Sequence, residues 1–201
     1  MRKVLFGLCM LMALTPFSIC WADSWAAPSP RIFASENGER ALKVIPVRGE
    51  KSYTSTATWI RLNQDGSEQT LNQLDLVNAP MRVLIPAETI PFFVTLDTHG
   101  SVGYEHTLVI YGNDKVVHDL KLESLLTSKE ILDHVTQSVS SRWWRDKAEF
   151  TFEVPSTETV GDKGNHRIVH TRTEPENTRL RIVFPWGKQV SIKLATGEVL
   201  P

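Results

Sequence analysis

From Ser52 onward the apolar and β-branched residues come in short runs cut by turn residues, a pattern of strands rather than helices. Ser52 to Leu62 (SYTSTATWIRL) is rich in Thr, Tyr and Trp, and Asp65-Gly66 supplies a turn from which Ser67 to Leu76 returns. Met81 to Ile85 is a short apolar run between Pro80 and Pro86, followed by Pro91 to Asp97 (PFFVTLD). Thr107 to Tyr111 (TLVIY), a Gly112-Asn113-Asp114 turn and Lys115 to Leu122 predict a further hairpin. Late strands are predicted at Glu149 to Val154, Arg167 to Arg172, Leu180 to Phe184 and Val190 to Leu194, with turns at Gly187 and Thr196-Gly197. Gly161 to Asn165 (GDKGN) reads as a mobile polar loop.

One helix interrupts the strands. Thr127-Ser128-Lys129-Glu130 matches a capping box, in which the Thr hydroxyl satisfies a free amide and the Glu reaches back. Ile131, Leu132, Val135 and Val139 then recur at helical spacing and predict a core-facing stripe.

Three segments, TWIRLNQDGSEQTLNQLDL, TLVIYGNDKVVHDLKL and VSIKLATGEVL, each place a strand before a turn and resume extended structure afterwards. Such an echo occurs in propeller blades and in ordinary hairpins. The uneven spacing and modest length favour a mainly β chain, an antiparallel sandwich or open barrel with one packed helix. A small propeller-like repeat of hairpins is the alternative.

The N-terminus changes this picture. MRKVLFGLCMLMALTPFSICWA begins with Arg2 and Lys3, runs apolar from Val4 to Leu14, breaks at Pro16 and closes on Ala22, the pattern of a cleaved secretory signal. Its apolar run is shorter than the roughly 20 residues a membrane span needs. Cleavage is expected after Ala22, with Ala26 as the second choice; Phe17-Ser18-Ile19-Cys20 matches a lipoprotein cleavage motif poorly. The expected organisation is a signal peptide over 1–22, a flexible small-residue leader over 23–30 (DSWAAPSP) and one mainly β domain over 31–201.

Both cysteines, Cys9 and Cys20, leave with the signal, which removes disulfide, thiolate and cysteine-zinc chemistry from the mature chain. Cleavage takes two of the 22 basic residues and none of the 23 acidic ones, moving the net charge from −1 to about −3. That balance gives no electrostatic case for nucleic acid, and no second apolar stretch predicts a span in the mature chain.

Candidate chemistry concentrates in Asp97-Thr98-His99-Gly100-Ser101-Val102-Gly103-Tyr104-Glu105-His106. Asp97, His99 and His106 offer oxygen and nitrogen ligands to a divalent metal, or an acid–base pair, although their spacing fits no established metal motif. The competing reading is a connection whose polar groups fix its own backbone. Ser138 to Arg145 (SVSSRWWR) is the second candidate. In an extended segment Trp143 and Trp144 point to opposite faces, so one can seal the core while the other, with Arg142 or Arg145, meets a sugar ring or a partner. Arg142, Trp143, Trp144 and Tyr104 are therefore the binding candidates. His166 and His170 share a strand face, but Arg167 and Arg172 flank them and disfavour a cation. No nucleophile elbow or phosphate-binding glycine loop occurs.

VTLDTHGSVGYEHTLVIYGNDKVVHDLKLESLL, with the later SVSSRWWR, resembles a pattern in uncharacterised exported bacterial proteins: an Asp-bearing strand end, a Gly-Tyr loop, an apolar strand ending in Tyr, and a Leu-rich segment leading to Ser-Ser and Trp. It covers roughly 92–145 and implies no activity, cofactor or catalytic residue.

Together these features predict an exported protein, periplasmic or secreted, that acts by binding or as a structural part of the bacterial envelope. Its expected partners are an envelope protein, a peptide or a glycan, with no cofactor required. The alternative is a metal-assisted hydrolase centred on Asp97 to His106. A subunit whose edge strands pair with a neighbour is a third expectation.

Overall fold

The computed structural model describes residues 25–50, 52–86, 90–112, 114–163 and 166–200, with the backbone alone at 157 and 159–173. The segment 1–22 expected to be a signal peptide, with both cysteines, and Gly164-Asn165 of the expected polar loop lie outside the described residues.

Three four-stranded antiparallel sheets dominate the described chain; the first two are each built from consecutive strands, and the third is interrupted by a two-stranded ribbon. The first contains β1 (Arg31–Ala34), β2 (Arg40–Arg48), β3 (Tyr53–Leu62) and β4 (Glu68–Leu76), in that order. The second contains β5 (Pro80–Leu84), β6 (Phe92–Thr98), β7 (Leu108–Gly112) and β8 (Lys115–Leu120), again in order. Two short helices follow, α1 (Leu122–Leu125) and α2 (Ser128–His134). After β9 (Glu149–Glu153), β10 (Ser156–Lys163) and β11 (His166–Thr173) form a separate two-stranded ribbon. A 3-10 turn at Pro175–Asn177 leads to β12 (Arg179–Val183), β13 (Gln189–Lys193) and β14 (Val199–Leu200), and the third sheet runs β14-β13-β12-β9.

The second sheet is the middle layer. Successive strand residues face opposite sides, and in β6 and β7 both sides are apolar. Phe93, Val109 and Tyr111 pack with Leu42, Val44, Ala57, Trp59, Leu74 and Leu76 of the first sheet. Val94, Leu96, Leu108 and Ile110 join the helices, Trp144 and Leu180, Ile182, Phe184, Val190 and Ile192 of the third. Burial on both faces explains why TLVIY reads as an unbroken apolar run instead of an alternating one. The chain is mainly β, as its pattern predicts. Its sheets form a three-layered antiparallel stack and do not close into a barrel. The three echoing segments are the β3–β4, β7–β8 and β13–β14 hairpins, one in each sheet, so the echo marks hairpins and not blades.

Several expectations are corrected. α2 carries the full capping box, but it ends at His134, and Val135 is its C-cap. Ile131 and Val135 are buried, whereas Leu132 is 75% and Val139 98% exposed. Leu132 lies about 100° around the helix from Ile131, and Val139 lies beyond the helix, so the expected four-residue stripe reduces to two. The strand expected over 115–122 stops at Leu120, and Leu122 opens α1. Gly161 to Lys163, expected in a loop, belong to β10. β2 is hidden in sequence by Pro46. Pairing with β1 ends at Val44, so the proline sits where one side of β2 has no neighbouring strand.

Candidate functional site

Asp97 lies near the end of β6, and its side chain is fully buried. Its backbone adopts φ +58°, a left-handed conformation that Asp tolerates better than most residues. The carboxylate meets three donors from two segments. The Gly103 backbone N–H and the Trp144 indole N–H reach Oδ1 at 2.9 and 2.8 Å, and Arg145 Nε reaches Oδ2 at 2.5 Å. The strained backbone is held as well, because Asp97 N–H donates to the Thr107 carbonyl and Asn78 Nδ2 donates to the Asp97 carbonyl at 2.9 Å. Burial pushes the Asp97 carboxyl above the ordinary carboxylate range, and the bonds from Trp144, Arg145 and Gly103 pull against it.

These bonds seat SVSSRWWR on the β6–β7 loop. Val102 bridges Ser141 in parallel, and the Arg142 N–H donates to the Val102 carbonyl at 2.8 Å. The close approach requires a glycine at 103: a Cβ there would stand 2.7 Å from the Arg142 carbonyl oxygen and 2.8 Å from Arg142 Cβ, at φ +70°. A tight turn then separates the tryptophans, with the Trp144 N–H donating to the Arg142 carbonyl at 2.8 Å. Trp144 is 1% exposed and belongs to the core beneath the middle sheet, while Trp143 stays partly exposed.

Asp97, His99 and His106 do not converge. The carboxylate of Asp97 is enclosed by its three donors. The His106 Nδ1 pairs with Asp119 Oδ2 of β8 at 2.6 Å. His99 lies beside Trp25 and Tyr53 instead, with ring centroids 5.2 and 6.1 Å away. Among the described residues no three His, Cys, Asp or Glu side chains come together as a metal-holding group. The donor set expected for a metal-assisted hydrolase is thus divided among separate polar contacts. His166 and His170 belong to β11, opposite Lys163 and Thr159, and their side chains lie outside the described residues.

The binding candidates separate in the same way. Tyr104 donates its hydroxyl to the Ser138 carbonyl at 2.8 Å, and the Arg142 guanidinium lies 4.3 Å from the centre of its ring. Arg142 also pairs with Glu123 of α1 at 2.6 Å, which leaves these two side chains fastening the loops together. Trp143 differs. Trp25 stacks on it, with centroids 6.2 Å apart and planes 27° apart, and turns its edge to His99. The Trp25 indole N–H reaches Ser140 Oγ at 3.4 Å.

Trp143, Trp25, His99 and Tyr53 therefore form a continuous aromatic row across the ends of the first two sheets. Beside it opens a surface cleft of about 430 Å³ lined by Trp25, Arg48, Glu50, Tyr53, His99 and Glu105, together with small residues of the two loops. Burial, and then the nearby Arg31 charge, lower the His99 pKa from its ordinary value. Arg48, Glu50 and Glu105 are all exposed at the rim. Nothing in sequence singles out Trp25, Arg48, Glu50 or Tyr53, since each lies in a different segment from the two candidate loops. The one available signal is a tryptophan within the otherwise small-residue leader DSWAAPSP.

No helix among the described residues is long and apolar enough to cross a membrane. No family model matches the chain, and no curated protein or solved structure matches it at a significant level.

Proposed function

We propose that the protein is an exported binding protein of the bacterial envelope, periplasmic or secreted, and that it holds a glycan in the cleft beside Trp25, Tyr53 and His99. The cleft carries this reading. Its volume of about 430 Å³ falls within the roughly 300–1,000 Å³ of small-ligand sites. Trp25 and Tyr53 offer flat apolar rings to the C–H faces of a sugar. Ser52, Ser101, Arg48, Glu50 and Glu105 supply donors and acceptors for its hydroxyls. One cation against two carboxylates disfavours a phosphate or another anionic ligand. Export rests on the basic, apolar and small-residue order of the first 22 residues.

The test is calorimetric titration of the protein with tetrasaccharides of β-linked glucose, α-linked glucose and β-linked N-acetylglucosamine. Binding of at least one, weakened about tenfold or more by Tyr53→Ala without change in melting temperature, supports the reading. No binding of any of them at millimolar concentration overturns it.

A further inference from the structure

Trp25 belongs to neither hydrophobic core. It nevertheless has a defined place, stacked on Trp143, edge-on to His99 and bonded to Ser140. Behind it the chain stays in contact with the body. Pro28 and Ser29 line a small hollow with Phe33, Val44, Pro46 and Met81 before Arg31 enters β1. Residues 25–30 thus form a strap without regular secondary structure, running from the edge of the first sheet past His99 to the SVSSRWWR loop. A large aromatic ring held at the rim of a cleft, and not needed to fill a core, is placed for contact with something in that cleft.

We infer that this strap is a part of the binding site and that Trp25 is the wall that completes it. The inference rests on the glycan-binding reading and adds a requirement that reading lacks, that the working protein must retain residue 25. It also distinguishes the two export cuts. Cleavage after Ala22 leaves Trp25 as the third residue of the mature chain, ready to dock on Trp143. Cleavage after Ala26 removes it and with it one side of the cleft. The competent exported protein therefore begins at Asp23.

Two measurements test this. The first is the intact mass of the full-length gene product recovered from the periplasm or medium of a bacterial host. A chain starting at Asp23 agrees with the inference, and one starting at Ala27 overturns it whether or not a ligand is known. The second is titration of Trp25→Ala, Trp25→Phe and Tyr53→Ala with the best-binding tetrasaccharide of the panel. The expected result is a loss of about tenfold or more for Trp25→Ala, partial recovery for Trp25→Phe, and unchanged melting temperatures. Full affinity in Trp25→Ala alongside a loss in Tyr53→Ala overturns the role of the strap and leaves the cleft standing. Full affinity in both overturns the cleft itself.

Discussion

The Trp144 indole N–H donates to Oδ1 of Asp97 across 2.8 Å, and that bond ties the end of β6 to the segment that seals the lower core. With Arg145 on the other carboxylate oxygen, Asp97 becomes the fixed point on which two loops are hung. Replacing Asp97 by Ala strands the Trp144 and Gly103 N–H groups and leaves Arg145 without its partner. Removing one member of such a buried pair costs about 3–5 kcal/mol. Urea denaturation is expected to show a loss of that size for Asp97→Ala. A loss below about 1 kcal/mol would show that the network contributes little.

Gly103→Ala tests the same junction from its backbone. The left-handed conformation costs a non-glycine residue about 1–2 kcal/mol, and the added Cβ also meets the Arg142 carbonyl at 2.7 Å. Equilibrium denaturation should record at least about 2 kcal/mol of destabilisation.

The adjacent tryptophans separate by role. Trp144→Ala empties a core position and is expected to cost about 3–5 kcal/mol. Trp143→Ala removes only the platform under Trp25, so its stability should stay within about 1 kcal/mol of wild type while tetrasaccharide affinity falls. Equal stability losses in the two variants would contradict the division.

Glu130 sets a pH dependence. Its carboxylate accepts from Lys188 Nζ at 2.7 Å and from the Thr127 N–H at 2.8 Å. The Lys188 bond first, then the Thr127 amide, lower its pKa from 4.5 to about 2. A carboxyl with a depressed folded-state pKa stabilises fully above its unfolded value and loses that contribution as pH falls through the folded one. Stability from this group is therefore complete above about 4.5 and disappears toward pH 2. Glu130→Gln keeps the capping contact but loses the charge paired with Lys188, so it should cost up to about 1 kcal/mol at pH 7 and flatten the decline between those limits. Denaturation midpoints measured from pH 7 down to pH 2 provide the check.

The sequence reveals much of this fold because the central strands alternate or run apolar without interruption. β3, β6 and β7 are legible for that reason, as is the capping box at Thr127. Their stacking into three layers is not legible, since an apolar run such as TLVIY records burial on both sides without naming what covers each. β2 is obscured by Pro46, whose tolerance depends on where β1 stops pairing. At the site, the expected division of Trp143 from Trp144 is present, though a tight turn at Trp143 and not strand alternation produces it, and the acid-and-histidine loop marks the right neighbourhood. The connection then sends His99 and His106 to different partners through left-handed backbone at Asp97, Gly100, Gly103 and His106, which residue spacing does not encode. Trp25 and Tyr53 meet His99 only through tertiary folding.

Because the three sheets follow one another along the chain, a polypeptide emerging from its N-terminus can lay them down in order. Each newly formed layer presents an oily face until the next arrives, and the middle one, covered on one side by the first, leaves its other side open. Partial products ending near residue 120 would thus be adhesive and prone to clump, whereas complete ones hide both faces. Holding the chain loose until β12 and β13 are available is the demand that this architecture places on whatever escorts it.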